Sequence, residues 1–115
     1  MAAVLVAAFS FPALAQHNHA AGHSDYIDWR SIRAPHSCCD NRDCGNIPDS
    51  EVRETATGTQ VRISGTWCPV LREHYLTRGK SPDWDTAHVC IQPISPYNVA
   101  DPCGRLLCFT GKGGF

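Results

Sequence analysis

Glu51-Val52-Arg53-Glu54-Thr55-Ala56-Thr57-Gly58-Thr59-Gln60-Val61-Arg62-Ile63-Ser64-Gly65-Thr66-Trp67-Cys68-Pro69-Val70 is the stretch that decides the fold. The turn signals Thr57-Gly58 and Ser64-Gly65 cut it into short runs. Glu51 to Ala56 and Thr59 to Ile63 flank the first turn and read as a β-hairpin. Val61 and Ile63 alternate with polar neighbours, the period of a strand with one buried face. Thr66 to Val70 reads as a third strand.

The same fine punctuation continues on both sides. Ala34-Pro35, Gly45-Asn46-Ile47-Pro48-Asp49, Arg78-Gly79-Lys80-Ser81-Pro82-Asp83 and Asp101-Pro102-Cys103-Gly104 all mark turns. Ala87 to Gln92 is a fourth strand-like run, with Val89 and Ile91 opposite His88 and Cys90. Arg105 to Thr110 is a fifth, with Leu107 and Phe109 opposite Leu106 and Cys108. Leu71 to Arg78, where Leu71 and Tyr75 would share a face, fits a short helix, and Tyr26 to Ile32 a second. The expected fold is a small, mainly-β, disulfide-stapled domain of about five short strands with one or two short helices.

Cysteines stand at 38, 39, 44, 68, 90, 103 and 108. Their meaning depends on compartment, and the N-terminus speaks to that. Ala2 to Leu14 is almost continuously apolar, too short to cross a bilayer core as a helix. It fits the apolar region of a signal peptide, and Ala13-Leu14-Ala15 supplies the small residues of a cleavage site. Cleavage after Ala15 would leave Gln16 first, and the absence of cysteine there argues against a lipid anchor. The expected location is the periplasm or the extracellular space. In such a compartment this density of cysteine reads as a disulfide framework. A zinc reading competes, because Cys39 and Cys44, like Cys103 and Cys108, have a tolerable ligand spacing. Cys38 and Cys39 are adjacent, so each is expected to have its own partner, and in an extended segment they would face opposite ways. Spacing alone leaves the connectivity and the odd cysteine open.

The expected organisation is a signal peptide over 1–15, a His-rich segment and short helix over 16–33, the β domain over 34–110 and a flexible tail over 111–115. The formal net charge is −1, with acids and bases interspersed and no basic run, so nucleic acid is not an expected partner. No stable membrane insertion is expected once the leader is removed.

His36-Ser37-Cys38-Cys39, Asp43-Cys44, Ser81-Pro82-Asp83, His88-Val89-Cys90 and Cys108-Phe109 occur in this order. Over roughly His36 to Phe109 the chain resembles a group of small, secreted, cysteine-containing hypothetical proteins of Gram-negative bacteria. The resemblance implies export and a compact fold and carries no activity. Cys68 and Cys103 look additional to that pattern, which would make them natural partners.

Few residues group in a way that suggests chemistry. His17, His19 and His23, with Asp25 beyond, could take up copper or zinc weakly, with His19 and His23 on one face of a helix. The competing reading of this stretch is a flexible polar tail. Trp67-Cys68-Pro69 echoes a thioredoxin-type site but lacks the second cysteine. Gly111-Lys112-Gly113-Gly114 lacks the remainder of a phosphate loop. No nucleophile and base are spaced in a recognisable pattern, so the chain is not expected to be an enzyme. Trp84, flanked by Asp83 and Asp85 in a Pro-initiated turn, is the candidate contact for an unknown protein or envelope component. Asp83 and Asp85, two carboxylates in a turn without the remaining ligands of a calcium loop, are better suited to an Asx-type turn than to calcium. The expected function is a secreted or periplasmic non-catalytic binding module. The alternative is an envelope metal-binding protein that uses the N-terminal histidines.

Overall fold

The computed structural model describes residues 25–39 and 43–114. The expected leader and the histidines at 17, 19 and 23 lie outside these residues. The fold is mainly β: β1 (Arg30–Ser31), β2 (Asp43–Ile47), β3 (Val52–Thr55), β4 (Gly58–Ile63), β5 (Thr66–Pro69), β6 (Leu76–Arg78), β7 (Ala87–Ile91) and β8 (Leu106–Thr110). They form three small sheets, ordered β1-β6, β2-β7-β8 and β3-β4-β5, with every strand pair antiparallel. Among the described residues no helix is long and apolar enough to cross a membrane.

The hairpin expected over Glu51–Ile63 is present, with Val52 opposite Val61 and Thr55 opposite Gly58. β5 adds to it, Cys68 lying opposite Val61. Of the two expected helices only short pieces are present: Asp25 and Tyr26 are helical, and Arg72–His74 is a 3-10 turn. Leu71 to Arg78 is a single 3-10 turn at Arg72–His74 followed by β6. Leu71 is 47% exposed, so it shares no buried face with Tyr75, which packs edge-on to Phe109 at 5.7 Å. Within Tyr26 to Ile32 the chain forms β1, which pairs with β6. Gly45 to Ile47, expected as part of a turn, belongs to β2, whose five residues pair in register with β7.

The sheet β2-β7-β8 is the middle layer. One face carries Ile47, Ala87, Leu106 and Phe109 onto Val61, Ile63, Cys68 and Val70 of the β3-β4-β5 side. The other face presents Cys90, Leu107 and Cys108 to Tyr26, Trp29, Ala34, Cys38 and Cys39. A sheet covered on both faces loses the in–out alternation of polarity, and all five residues of β8 are buried. The register shifts at Cys90/Ile91, so that Cys90 faces Cys108 while Ile91 faces Leu106. Such a bulge turns Leu107 to the same side as Cys108. The Leu107 carbonyl there accepts a hydrogen bond from the buried Ser31 hydroxyl at 2.7 Å.

Six cysteines form three disulfides, Cys38–Cys108, Cys44–Cys90 and Cys68–Cys103. The last is the pair that the resemblance implied. Cys44, Cys90 and Cys108 lie side by side in one cross-strand row, and Cys38 reaches that row from the segment before β2. Cys39 is buried beside them and belongs to none of these three bridges. Disulfide formation takes the thiols that a zinc site would have needed.

Arg105 is buried, yet it makes no ion pair among the described residues. Its guanidinium donates to the Gln92 carbonyl and the Ser64 hydroxyl, both at 2.8 Å. It thereby ties the β4–β5 turn and the end of β7 to the 3-10 turn that leads into β8. Ser64 holds φ at +50°, a left-handed conformation uncommon for residues with a Cβ, at the β4–β5 turn with Gly65 beside it at +80°.

Candidate functional site

Ser81 to Thr86 is the loop that leads into β7. Trp84 stands on it 72% exposed and outside both core clusters. The loop is built around the Asp83 carboxylate. Its Oδ1 accepts from the Asp85 and Thr86 amides, both at 3.0 Å, and from the Thr86 hydroxyl at 3.1 Å. This is the Asx-type turn expected from the sequence. The Ser81 hydroxyl donates to the Asp83 carbonyl, closing the loop on the other side.

Asp83 also reaches inward. Its Oδ2 lies 3.2 Å from His88 Nε2, and His88 Nδ1 lies 2.9 Å from the Tyr26 hydroxyl. His88 is 1% exposed. Burial lowers the imidazole's pKa, against the opposing pull of Asp83, so the ring is held neutral. The Thr86 amide, followed by its hydroxyl and the Asp85 amide, holds the Asp83 carboxyl below its ordinary value. An ionised carboxylate only accepts, so Nε2 carries the hydrogen and Nδ1 accepts from the Tyr26 O–H. Burial, reinforced by Asp25 and Asp83, pushes the Tyr26 phenol up to about 12, so that donor stays protonated. Tyr26 packs edge-on to Trp29 at 4.9 Å, and the Trp29 indole donates to the Lys80 carbonyl at 3.0 Å. The loop that carries Trp84 is therefore fixed to the core at Lys80 and at Asp83.

A carboxylate, an imidazole and a hydroxyl in line follow the order used by nucleophilic hydrolases. Here the line ends on a buried phenol that is kept protonated. What the chain supplies is rigidity beneath an exposed indole. On the far side of the loop the Trp84 carbonyl accepts from the Gly113 amide at 3.0 Å. Lys112 pairs with Asp49 at 2.8 Å, which raises its pKa, and Asp85 adds to that rise. Asp85 itself is exposed. The proposed contact residues Asp83, Trp84 and Asp85 thus share one loop but differ in kind: Asp83 builds it, while Trp84 and Asp85 face outward.

A second exposed surface was not anticipated. Ile94, Tyr97 and Val99 are 62%, 99% and 61% exposed on the segment between β7 and β8. This segment is also internally tied. The Asn98 side chain accepts from the Ser95 amide and donates to the Pro93 carbonyl, and the Ser95 hydroxyl accepts from the Tyr97 amide. A shallow groove of about 710 Å³ lies between it and Arg33. The signal in the sequence was Ser95-Pro96-Tyr97-Asn98, a turn with an aromatic at its tip.

Among the described residues no group of His, Cys, Asp and Glu is placed to hold a metal ion. No protein-family model, curated protein or solved structure matches the chain.

The two buried histidines give the fold a definite pH response. Desolvation also lowers the pKa of His74, whose Nδ1 accepts from the Leu71 amide at 2.9 Å. With folded values below the ordinary 6.5, His74 and His88 bind fewer protons folded than unfolded in mild acid. Stability is then highest above that value and falls as pH drops through and below it. Asp83, with its folded value below the ordinary 3.8, acts in the same direction in stronger acid. Denaturant midpoints should fall steadily from about pH 7.5 to about pH 5. The His88 ring signals in an NMR titration should respond only below the free-histidine range. A His88 titration above that range would contradict the tautomer and the buried neutral ring together.

Proposed function

We propose that this chain is a secreted or periplasmic, non-catalytic binding module. Its contact surface is centred on Trp84, and its partner is a protein or envelope component. The observation that carries the reading is the exposed Trp84 indole on a loop tied inward through Asp83 and His88. A large aromatic that is exposed on an ordered loop loses little entropy on binding and offers much area. Asp85 beside it supplies a charged rim of the kind that surrounds interface anchors. The three disulfides support export, because such bridges persist in oxidising compartments. The resemblance to small secreted cysteine-containing proteins of Gram-negative bacteria belongs to the same reading.

Capture from an envelope extract tests it, with native protein and Trp84→Ala immobilised in parallel. The partner retained by the native protein should bind the variant more weakly by about 1–2 kcal/mol or more. The melting temperature should be unchanged, since Trp84 lies outside both clusters. Equal capture by both proteins would move the surface elsewhere, with Tyr97 the next residue to replace. A lower melting temperature with unchanged capture would make Trp84 a packing residue.

A further inference from the structure

Between the sheet β3-β4-β5 and the sheet β2-β7-β8 lies a cavity of about 370 Å³. Its apolar walls come from both layers: Val52 from β3, Ala87 from β7, Phe109 from β8, and Tyr75. The Tyr75 and Phe109 rings meet edge to face at 5.7 Å and 85°. No described residue hydrogen-bonds the Tyr75 hydroxyl. This is the size and character of a small-molecule site, an apolar body with a few polar groups at the mouth.

The polar groups at the mouth are Asp49, Lys112 and Glu54. Lys112 and Asp49 neutralise each other at 2.8 Å. Glu54 has no ion pair among the described residues; both its oxygens accept from the Thr59 hydroxyl at 2.9 Å. Strand parity explains its direction. Val52 and Glu54 are two residues apart on β3 and so share a face, and Val52 packs on the inner cluster. Glu54 therefore stands on the inner side of the sheet, at the point where the opposing sheet no longer covers it. The uncompensated charge at an apolar opening is negative, and aromatic faces add to its preference for a cation.

We propose that this cavity binds a small amphipathic amine, an aromatic or aliphatic body seated against Val52, Tyr75 and Phe109 with its ammonium on Glu54. The cavity adjoins the Trp84 loop through Lys112 and Gly113, but neither Trp84 nor Asp85 lines it. It goes beyond the module's macromolecular role, and Trp84→Ala, which should leave amine binding in place, lets either fail without the other.

Oxidised protein titrated with 2-phenylethylamine, 2-phenylethanol and 3-phenylpropanoate, followed by amide NMR and calorimetry, tests the proposal. The amine should perturb Val52, Glu54, Tyr75 and Lys112. It should bind roughly tenfold or more tightly than the alcohol, with the carboxylate weakest. Glu54→Gln should erase the preference for amine over alcohol while leaving the melting temperature and weak alcohol binding in place. Val52→Trp, which fills the cavity, should abolish binding of all three, with the native amide spectrum of β7 and β8 confirming the fold. Equal affinity for amine and alcohol, or no localised shifts with any probe, would overturn it. So would Glu54→Gln that retains amine binding but self-associates, because β3 is an edge strand and Glu54 would then be guarding that edge.

Discussion

Full reduction should unfold this domain at room temperature, under conditions in which the oxidised protein is intact. The bridges Cys38–Cys108, Cys44–Cys90 and Cys68–Cys103 span sequence separations of 70, 46 and 35. On the loop-entropy argument each alone restricts the unfolded chain by about 4 kcal/mol. Their loops overlap, so these contributions do not add. The comparison that matters is with a typical net stability of about 5–15 kcal/mol. The apolar core is divided into two small clusters on opposite faces of the middle sheet, and neither is large. Losing even two bridges therefore removes most of the margin. Circular dichroism melts with and without reductant, with thiol titration to verify full reduction, make the measurement. Replacing both Cys38 and Cys108 by Ser should by itself cost about 2–5 kcal/mol. An unchanged midpoint after complete reduction would show that the two clusters suffice.

The parts of this fold that could be read from sequence are those whose burial is one-sided. β3, β4 and β5 lie on an outer sheet, so Val61 and Ile63 are buried while Arg62 between them is exposed, and the pattern announces a strand. β8 was legible as a strand, but not as one with both faces covered, since that depends on Trp29 and Tyr26 arriving from far along the chain. β2 escaped notice because Gly45, Asn46 and Pro48 look like a turn. It is an edge strand, where ladder demands are weaker, and the Cys44–Cys90 bridge holds it against β7. The Leu71 and Tyr75 spacing imitates a helix face, yet the chain there passes along Phe109 and extends into β6. Disulfide connectivity is a matter of register. Cys44, Cys90 and Cys108 become neighbours only once β2, β7 and β8 are aligned.

The site was legible to the same degree. Asp83 and Asp85 in a Pro-initiated turn pointed to an Asx motif, while the polar stretch around Trp84 left exposure and packing over a disulfide equally open until the structure showed it exposed. The line from Asp83 through His88 to Tyr26 was hidden, because Tyr26 enters from the opposite end of the sequence. The cavity beside Glu54 was hidden for a similar reason. It exists only between sheets whose separation the sequence does not encode locally.

Trp29→Ala should be among the most damaging single changes in the chain, and its effect should reach the Trp84 loop. Trp29 is 1% exposed and is the largest of the fully buried side chains. It lies in the cluster with Cys38, Cys90 and Cys108, edge-on to Tyr26 and 6.3 Å from the His88 ring. Gly79 fits against it only because it lacks a Cβ. A Cβ there would stand 2.6 Å from Trp29 Cδ1, and the residue holds φ at +96°. Removing the indole opens a large void and leaves the Lys80 carbonyl without its donor, a combined loss of about 3–5 kcal/mol. For a domain of this size that is a drop in Tm of more than about 10 °C. Trp29→Phe should recover much of the packing but not the Lys80 hydrogen bond, so it separates the two contributions. A loss below about 1 kcal/mol for Trp29→Ala would mean that the ring does not organise this cluster. Lys80 immediately precedes Ser81, the residue that closes the Asp83 turn. With Lys80 released, the Asp83–His88 pair is the loop's remaining tie to the buried core, beside the outer bonds from the Gly113 amide and the Asn46 side chain, and Tyr26 behind His88 has lost the ring it leans on. Partner capture should therefore weaken in Trp29→Ala although Trp29 touches no solvent. In Trp29→Phe, which still supports Tyr26, capture should fall less.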